Sequence, residues 1–192
     1  MYLIVGLGNP GEEYEHSRHN AGFEVVERLA EEANVRYWKT TCGSLVGQGK
    51  VSLGGGDVAD VVLAKPQSFM NLSGGPVTKL LKEFNVSPDE LIVVHDELDI
   101  PAGSVRVKRG GGHAGHNGLR SIIDKTGTRD FLRVRIGVGR PPGRMPVADF
   151  VLQVPRKDAM DEFMGACDHG VDAAKSLMAV GLEKTQQAFN QR

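Results

Sequence analysis

Short β-branched runs alternate along this chain with stretches of helical periodicity. Leu3-Ile4-Val5 reads as a buried strand. Phe23, Val26, Leu29, Ala30 and Ala33 recur at helical spacing and predict an amphipathic helix over about 21–33. Residues 44–53 and 57–64 have strand character, the second running from Val58 to Ala64 and stopped by Pro66. Val77, Leu80, Leu81 and Phe84 mark a second helix, with Ser73 as its expected N-cap. Leu91 to Val94 is a further strand, and 104–108 alternates as a half-buried one. A helix is expected over 118–125, capped by Asn117, with Leu119, Ile122 and Ile123 as its apolar stripe. From Phe131 to Val138, Leu132, Val134, Ile136 and Val138 alternate with Arg133, Arg135 and Gly137, so one face of that strand reads as polar. The tail from about 156 to 190 reads as helix, interrupted near Gly181. Strands interleaved with helices predict an α/β sandwich. Gly139-Arg140-Pro141-Pro142-Gly143 reads as a loop within one domain spanning 1–192.

Composition narrows the class. Of 192 residues, 40% are hydrophobic and 24% charged, close to the average of globular chains, which argues against global disorder. Cys42 and Cys167 are far apart and form neither a metal-ligand spacing nor a disulfide framework. The N-terminus has no basic leader, and no run approaches the ~18 apolar residues of a membrane span. A cytoplasmic protein without a membrane partner is expected.

In open α/β sheets, ligands bind beyond the carboxyl ends of the strands. Three segments qualify: Gly6 to Gly11, Lys65 to Asn71, and His95 to Asp99. The first matches G-x-G-x-x-G, which raises a dinucleotide-dependent oxidoreductase. The rest of that fingerprint is missing: Pro10 follows, a polar loop runs to Asn20, and a helix stands where the acidic strand end belongs. His19 closes the polar loop, where an imidazole titrating near neutrality suits a general base, although a solvated loop histidine is the plainer reading. Asp96, at a strand end, could fix its tautomer or simply cap a turn. Gly110 to Gly118 holds five glycines in nine residues, which lets backbone approach a ligand closely. His113 and His116 raise a zinc hydrolase, but no H-E-x-x-H is present. Without a G-x-S-x-G elbow or a cysteine in a nucleophile setting, water is the expected nucleophile of any hydrolysis.

Five blocks in order give a resemblance. Val5-Gly6-Leu7-Gly8-Asn9-Pro10-Gly11 with Tyr14 and Arg18-His19-Asn20-Ala21-Gly22 resembles the opening of the bacterial peptidyl-tRNA hydrolases. The likeness continues through Pro66 to Gly74, His95 to Asp99, Gly110 to Gly118 and Arg133 to Gly139. It implies a single α/β domain with a mixed, mostly parallel sheet between helices. It also implies hydrolysis of the ester joining a peptide to the 3′ end of tRNA, with no metal and no cofactor, by a monomer without an obligate protein partner. By the same resemblance His19 is the base that activates water and Asp96 keeps it basic and oriented. Asn9 is the residue that discriminates blocked from free aminoacyl ends. Tyr14, Phe69, Asn71 and Asn117 contact the tRNA end or the ester, Met70 lines the crevice, and His116 supports Asn117. The chemistry is coherent, since carboxamides can donate to a carbonyl without competing for the proton and Tyr14 and Phe69 offer stacking faces. A non-catalytic RNA-binding module is the alternative; it has no need of a His19/Asp96 pair.

Charge adds a location. The net charge of −1 from 23 basic and 24 acidic residues excludes a uniformly basic coating protein. Along the chain it is uneven: residues 1–100 carry −7, residues 101–144 carry +8, and residues 145–192 carry −2. The basic segment flanks the glycine cluster and Asn117, where an acceptor stem would lie if its 3′ end entered the crevice. Lys108 and Arg135 resemble the family's phosphate-contacting positions, and alternation puts Arg133 and Arg135 on one strand face.

Overall fold

A computed structural model describes residues 1–191. Seven strands form one sheet: β1 (Tyr2–Gly6), β2 (Lys39–Thr41), β3 (Ser44–Gly54), β4 (Asp57–Pro66), β5 (Leu91–Glu97), β6 (Val105–Arg109) and β7 (Leu132–Gly137). Their spatial order is β2-β3-β4-β1-β5-β7-β6. The β4-β1-β5-β7 centre is parallel, and antiparallel strands are added at both edges. The fold is therefore α/β, as the interleaved pattern predicts, with the mixed sheet that the resemblance implies, its strand pairings divided evenly between parallel and antiparallel.

Five helices cover the sheet: α1 (Ala21–Glu32), α2 (Gly74–Glu83), α3 (Asn117–Thr126), α4 (Val147–Val151) and α5 (Asp158–Phe189). Alternation along the strands sorts the core into two layers. Ile4, Ile92, Val94, Val134 and Ile136 pack with Val25 and Leu29 of α1 and Phe163 and Val171 of α5. Leu3, Val5, Val62, Leu91 and Val93 pack with Val77 and Leu80 of α2 and Leu119 and Ile122 of α3. α5 breaks at Gly181 (φ 85°), where the sequence predicts an interruption.

One predicted cap holds in position and one is corrected. Ser73 is the N-cap residue of α2, but its hydroxyl makes no capping bond and turns back to the Met70 carbonyl at 2.7 Å. Asn117 lies inside the first turn of α3, and His116 is the cap, its Nδ1 accepting the Leu119 N–H at 3.3 Å. β2 and α4 were not expected. The motif glycines serve packing between strand and helix. A Cβ on Gly6 would sit 2.1 Å from the Gly22 carbonyl, and one on Gly22 would sit 2.3 Å from the Leu7 amide. These two residues let the start of α1 press directly onto the end of β1.

Candidate active site

The parallel strands deliver their carboxyl ends to one edge. There the loops after β1, β4 and β5, the start of α3 and the short α4 enclose a cavity of about 710 Å³. Asn9, His19, Phe69, Met70, Asn71, Asp96, His116 and Asn117 all line it. Sequence reasoning missed the far wall: Val147, Val151 and Leu152 line the cavity as well, with Arg140 and with Leu98 of the His95 to Asp99 segment. The i, i+4 spacing of Val147 and Val151 is the helical signal that could have revealed α4.

Asp96 is the centre of the polar cluster. Its carboxylate is 3% exposed and receives both flanking imidazoles. His19 Nδ1 lies 3.0 and 2.9 Å from its two oxygens, and His116 Nε2 lies 2.8 Å from Oδ1. An ionised carboxylate only accepts, so both ring nitrogens donate. His116 directs Nε2 toward Asp96 and turns Nδ1 to the Leu119 N–H. For His19 the same logic leaves Nε2 as the basic atom, and it has no partner among the described residues. Burial opposes charge on His19, but the attraction and hydrogen bonds of Asp96 outweigh it and raise the pKa above the ordinary 6.5. Burial likewise opposes ionisation of Asp96, and the two histidines overcome it, holding the carboxyl well below its ordinary range. His95, fully buried behind them, is held well below its ordinary value by burial and by His116, and donates from Nδ1 to the Asp96 carbonyl at 2.7 Å.

The asparagines divide by burial. Asn9 is 8% exposed and tightly tied. Its amide N–H donates to Asn20 Oδ1 at 2.8 Å, Asn20 Nδ2 donates back to its carbonyl at 3.0 Å, and its own Oδ1 accepts the Met70 amide at 2.7 Å. With Oδ1 committed, the Nδ2 amide is the side-chain group left for a ligand. Asn71 and Asn117 are exposed on the rim. Phe69 stands on that rim 56% exposed, while Met70 is buried beneath it at 4%. Tyr14 is half-buried on the 3₁₀ turn Glu12–Tyr14 and does not line the cavity.

The basic strand face differs from expectation. Arg133 is fully buried, so the polar face of β7 is not an open pair of arginines. Its guanidinium donates to the carbonyls of Gly112 at 2.7 Å, Gly111 at 2.8 Å and Arg129 at 3.2 Å. Arg135 pairs with Glu97 Oε1 at 3.1 Å. Lys108 is half-buried opposite Arg133 on β6, outside the cavity, with no ion pair among the described residues.

His19, Asp96 and His116 are also the group whose donor atoms could hold a cation, lying within 4.8 Å of one another. On each ring one nitrogen is spent on a hydrogen bond to Asp96. The arrangement instead suits base catalysis, with an oriented imidazole facing a cavity ringed by carboxamides.

Comparison with known proteins agrees with this chemistry. The sequence model described as peptidyl-tRNA hydrolase matches residues 3–192. The chain is 51% identical over 189 residues to a peptidyl-tRNA hydrolase of Frankia alni, covering 98% of this chain and 93% of that protein. It is 50% identical over 190 residues to one of Nocardia farcinica, covering 98% and 95%. The crystal structure of peptidyl-tRNA hydrolase from Acinetobacter baumannii superposes with a TM-score of 0.88 at 37% identity, covering 100% of this chain and 95% of that one.

Proposed function

From a chain that belongs to the peptidyl-tRNA hydrolase family, and so is a hydrolase acting on peptidyl-tRNA, we propose a water-based mechanism run by His19. The observation that carries it is the His19–Asp96 contact, which commits Nδ1 and leaves Nε2 basic at the cavity. Nε2 takes a proton from water as the oxygen attacks the ester carbonyl. The tetrahedral intermediate collapses, the tRNA ribose oxygen leaves, and the imidazolium returns the proton to it. Asp96 balances the transient positive charge and prevents ring rotation. His116 holds Asp96 from the other side and starts the helix that presents Asn117.

In the same proposal Asn9 Nδ2 donates to the carbonyl of the blocked α-amine, and Asn71 and Asn117 position the ester and the terminal nucleotide. Phe69 offers a stacking face, and Met70 supports it from below. Tyr14 meets the tRNA end only beyond the cavity wall. Lys108 and Arg135 meet backbone phosphates of the acceptor stem. The enzyme works as a cytoplasmic monomer, a single domain over 1–192, without cofactor or metal.

The test is hydrolysis of N-acetylated aminoacyl-tRNA in EDTA. His19→Ala is expected to lower turnover by about a thousandfold or more, within the range a general base contributes, while tRNA binding and the fold persist. Retained turnover in that variant would refute the mechanism. Loss of binding along with turnover would favour the RNA-binding role for this histidine.

A further inference from the structure

Lys108 and Arg133 stand directly opposite each other on β6 and β7. Like charges at facing positions destabilise a sheet, so their retention calls for a reason. Arg133 resolves half of it by turning its guanidinium onto the glycine loop, where it grips two consecutive carbonyls, Gly111 and Gly112. Nη2 also donates to the Arg129 carbonyl at 3.2 Å, while Nε has no partner. Burial, then the neighbouring arginines, hold the group down to about 10, still charged at neutrality.

The peptide geometry turns this grip into a surface feature. In a planar trans peptide the N–H points opposite to the preceding carbonyl. With the Gly111 and Gly112 carbonyls drawn inward, the amides of Gly112 and His113 face away from Arg133. Neither amide donates to any group among the described residues, and Gly112 is exposed. The ammonium of Lys108 lies alongside, 3.0 Å from where a Gly111 Cβ would be. Two successive outward amides beside an ammonium make an anion-binding concavity.

We propose that Arg133 is a positioning residue that builds the main-chain half of a phosphate site, formed by the amides of Gly112 and His113 together with Lys108. This rests on the reading of Lys108 as a contact to the tRNA backbone. Arg133 never meets the phosphate; it sets the loop that does. The rigid arginine fork holds two adjacent carbonyls in a fixed geometry that a single ammonium does not.

The test is steady-state hydrolysis of N-acetylated aminoacyl-tRNA as a function of salt. Gly112→Pro removes one amide from an exposed position where a Cβ meets nothing within 4 Å. It is expected to raise KM about tenfold, as expected for losing a hydrogen bond to a charged group, with kcat within about twofold and the salt slope kept. Gly112→Ala restores the N–H and should show a KM well below that of the proline variant. Arg133→Lys should raise KM in the same way, with little change in kcat. Lys108→Ala should raise KM and lower the salt slope by about one. If Lys108→Ala changes neither KM nor slope, the phosphate reading itself fails and takes this inference with it. If Lys108→Ala behaves as stated but the proline and alanine variants match each other, only the main-chain site is wrong. Arg133→Lys losing kcat in proportion to its KM rise would reduce Arg133 to scaffold. The Gly112 pair decides the matter even if Arg133→Lys does not fold.

Discussion

Two buried charges organise this molecule, and they are used in opposite ways. Asp96 lies under the cavity and gives its charge to two imidazoles, one of which faces the substrate space. Arg133 lies under the glycine loop and gives its charge to carbonyls, so that nothing charged reaches the surface from it. A charge buried without compensation would cost several kcal/mol, and each is compensated locally. The difference lies in what the compensation transmits. Through Asp96 it sets the basicity and tautomer of His19; through Arg133 it sets backbone orientation. Substitutions at the first region should therefore change rate and its pH dependence, and those at the second should change affinity and its salt dependence.

Apart from deletion of His19 itself, Asp96→Asn should give the largest effect. Two N–H donors converge on the carboxylate. An asparagine loses the charge and sets its NH₂ either at Oδ2, against the His19 N–H, or at Oδ1, against both donors. Turnover should fall about a hundredfold, less than for His19→Ala, because the base is misplaced and not removed. KM should change little. A variant whose KM rises while kcat holds would erase the distinction between the two regions.

The pH profile comes next. His19 must be neutral to take a proton, and its pKa is raised above 6.5 because Asp96 outweighs burial. Activity should thus fall as pH drops through a value above 6.5. In Asp96→Asn the charge is gone and burial alone remains, so the acid limb should move to lower pH. The stability linkage has the reverse sign. A raised histidine pKa stabilises the fold below the unfolded value, and that contribution is lost as pH rises through the folded one. Asp96, depressed in the fold, stabilises above its unfolded pKa, and that contribution is lost only as pH falls through its folded value. Profiles of kcat/KM for the two proteins that superpose on the acid side would contradict the assignment.

The two regions also differed in how far the sequence disclosed them. The strand and helix periodicities located β1, β3, β4, β5, β6 and β7 and the long helices to within a few residues, because buried stripes leave a period. That these polar residues meet was legible since it follows a topological rule: polar residues just past the ends of parallel strands gather at one edge. Arg133 shares a strand face with Arg135 as read, but its burial was not legible, for a physical reason. Alternation tells which face of a strand a side chain occupies, not what covers that face, and here the cover is the glycine loop. The cap of α3 was misassigned by one residue because an imidazole Nδ1 can accept an amide as an asparagine can. β2 is a polar edge strand of three residues, too short to show a period, and α4, a helix of five, carries only the single Val147/Val151 spacing. The resemblance carried roles that no periodicity encodes, above all that of Asn9, whose Oδ1 turned out to tie the β1 and β4 loops together.

The smallest expected effect probes the boundary between the regions. Arg135 lies on β7 beside His95 in register and pairs with Glu97, a residue of the cavity wall. It therefore belongs geometrically to both. Arg135→Gln keeps a donor for Glu97 and removes the charge, so the fold should hold. If Arg135 acts on the phosphate side, KM should rise about threefold and the salt slope should fall by about one, with the acid limb of the pH profile unmoved. If it acts on the catalytic side through Glu97, the pH profile should shift while the salt slope stays. The first outcome is expected, because Glu97 already absorbs the nearer face of the guanidinium and Asp96 takes no contact from it. Measuring both quantities in one variant thus tests whether the basic strand face and the Asp96 carboxylate are separate devices or one.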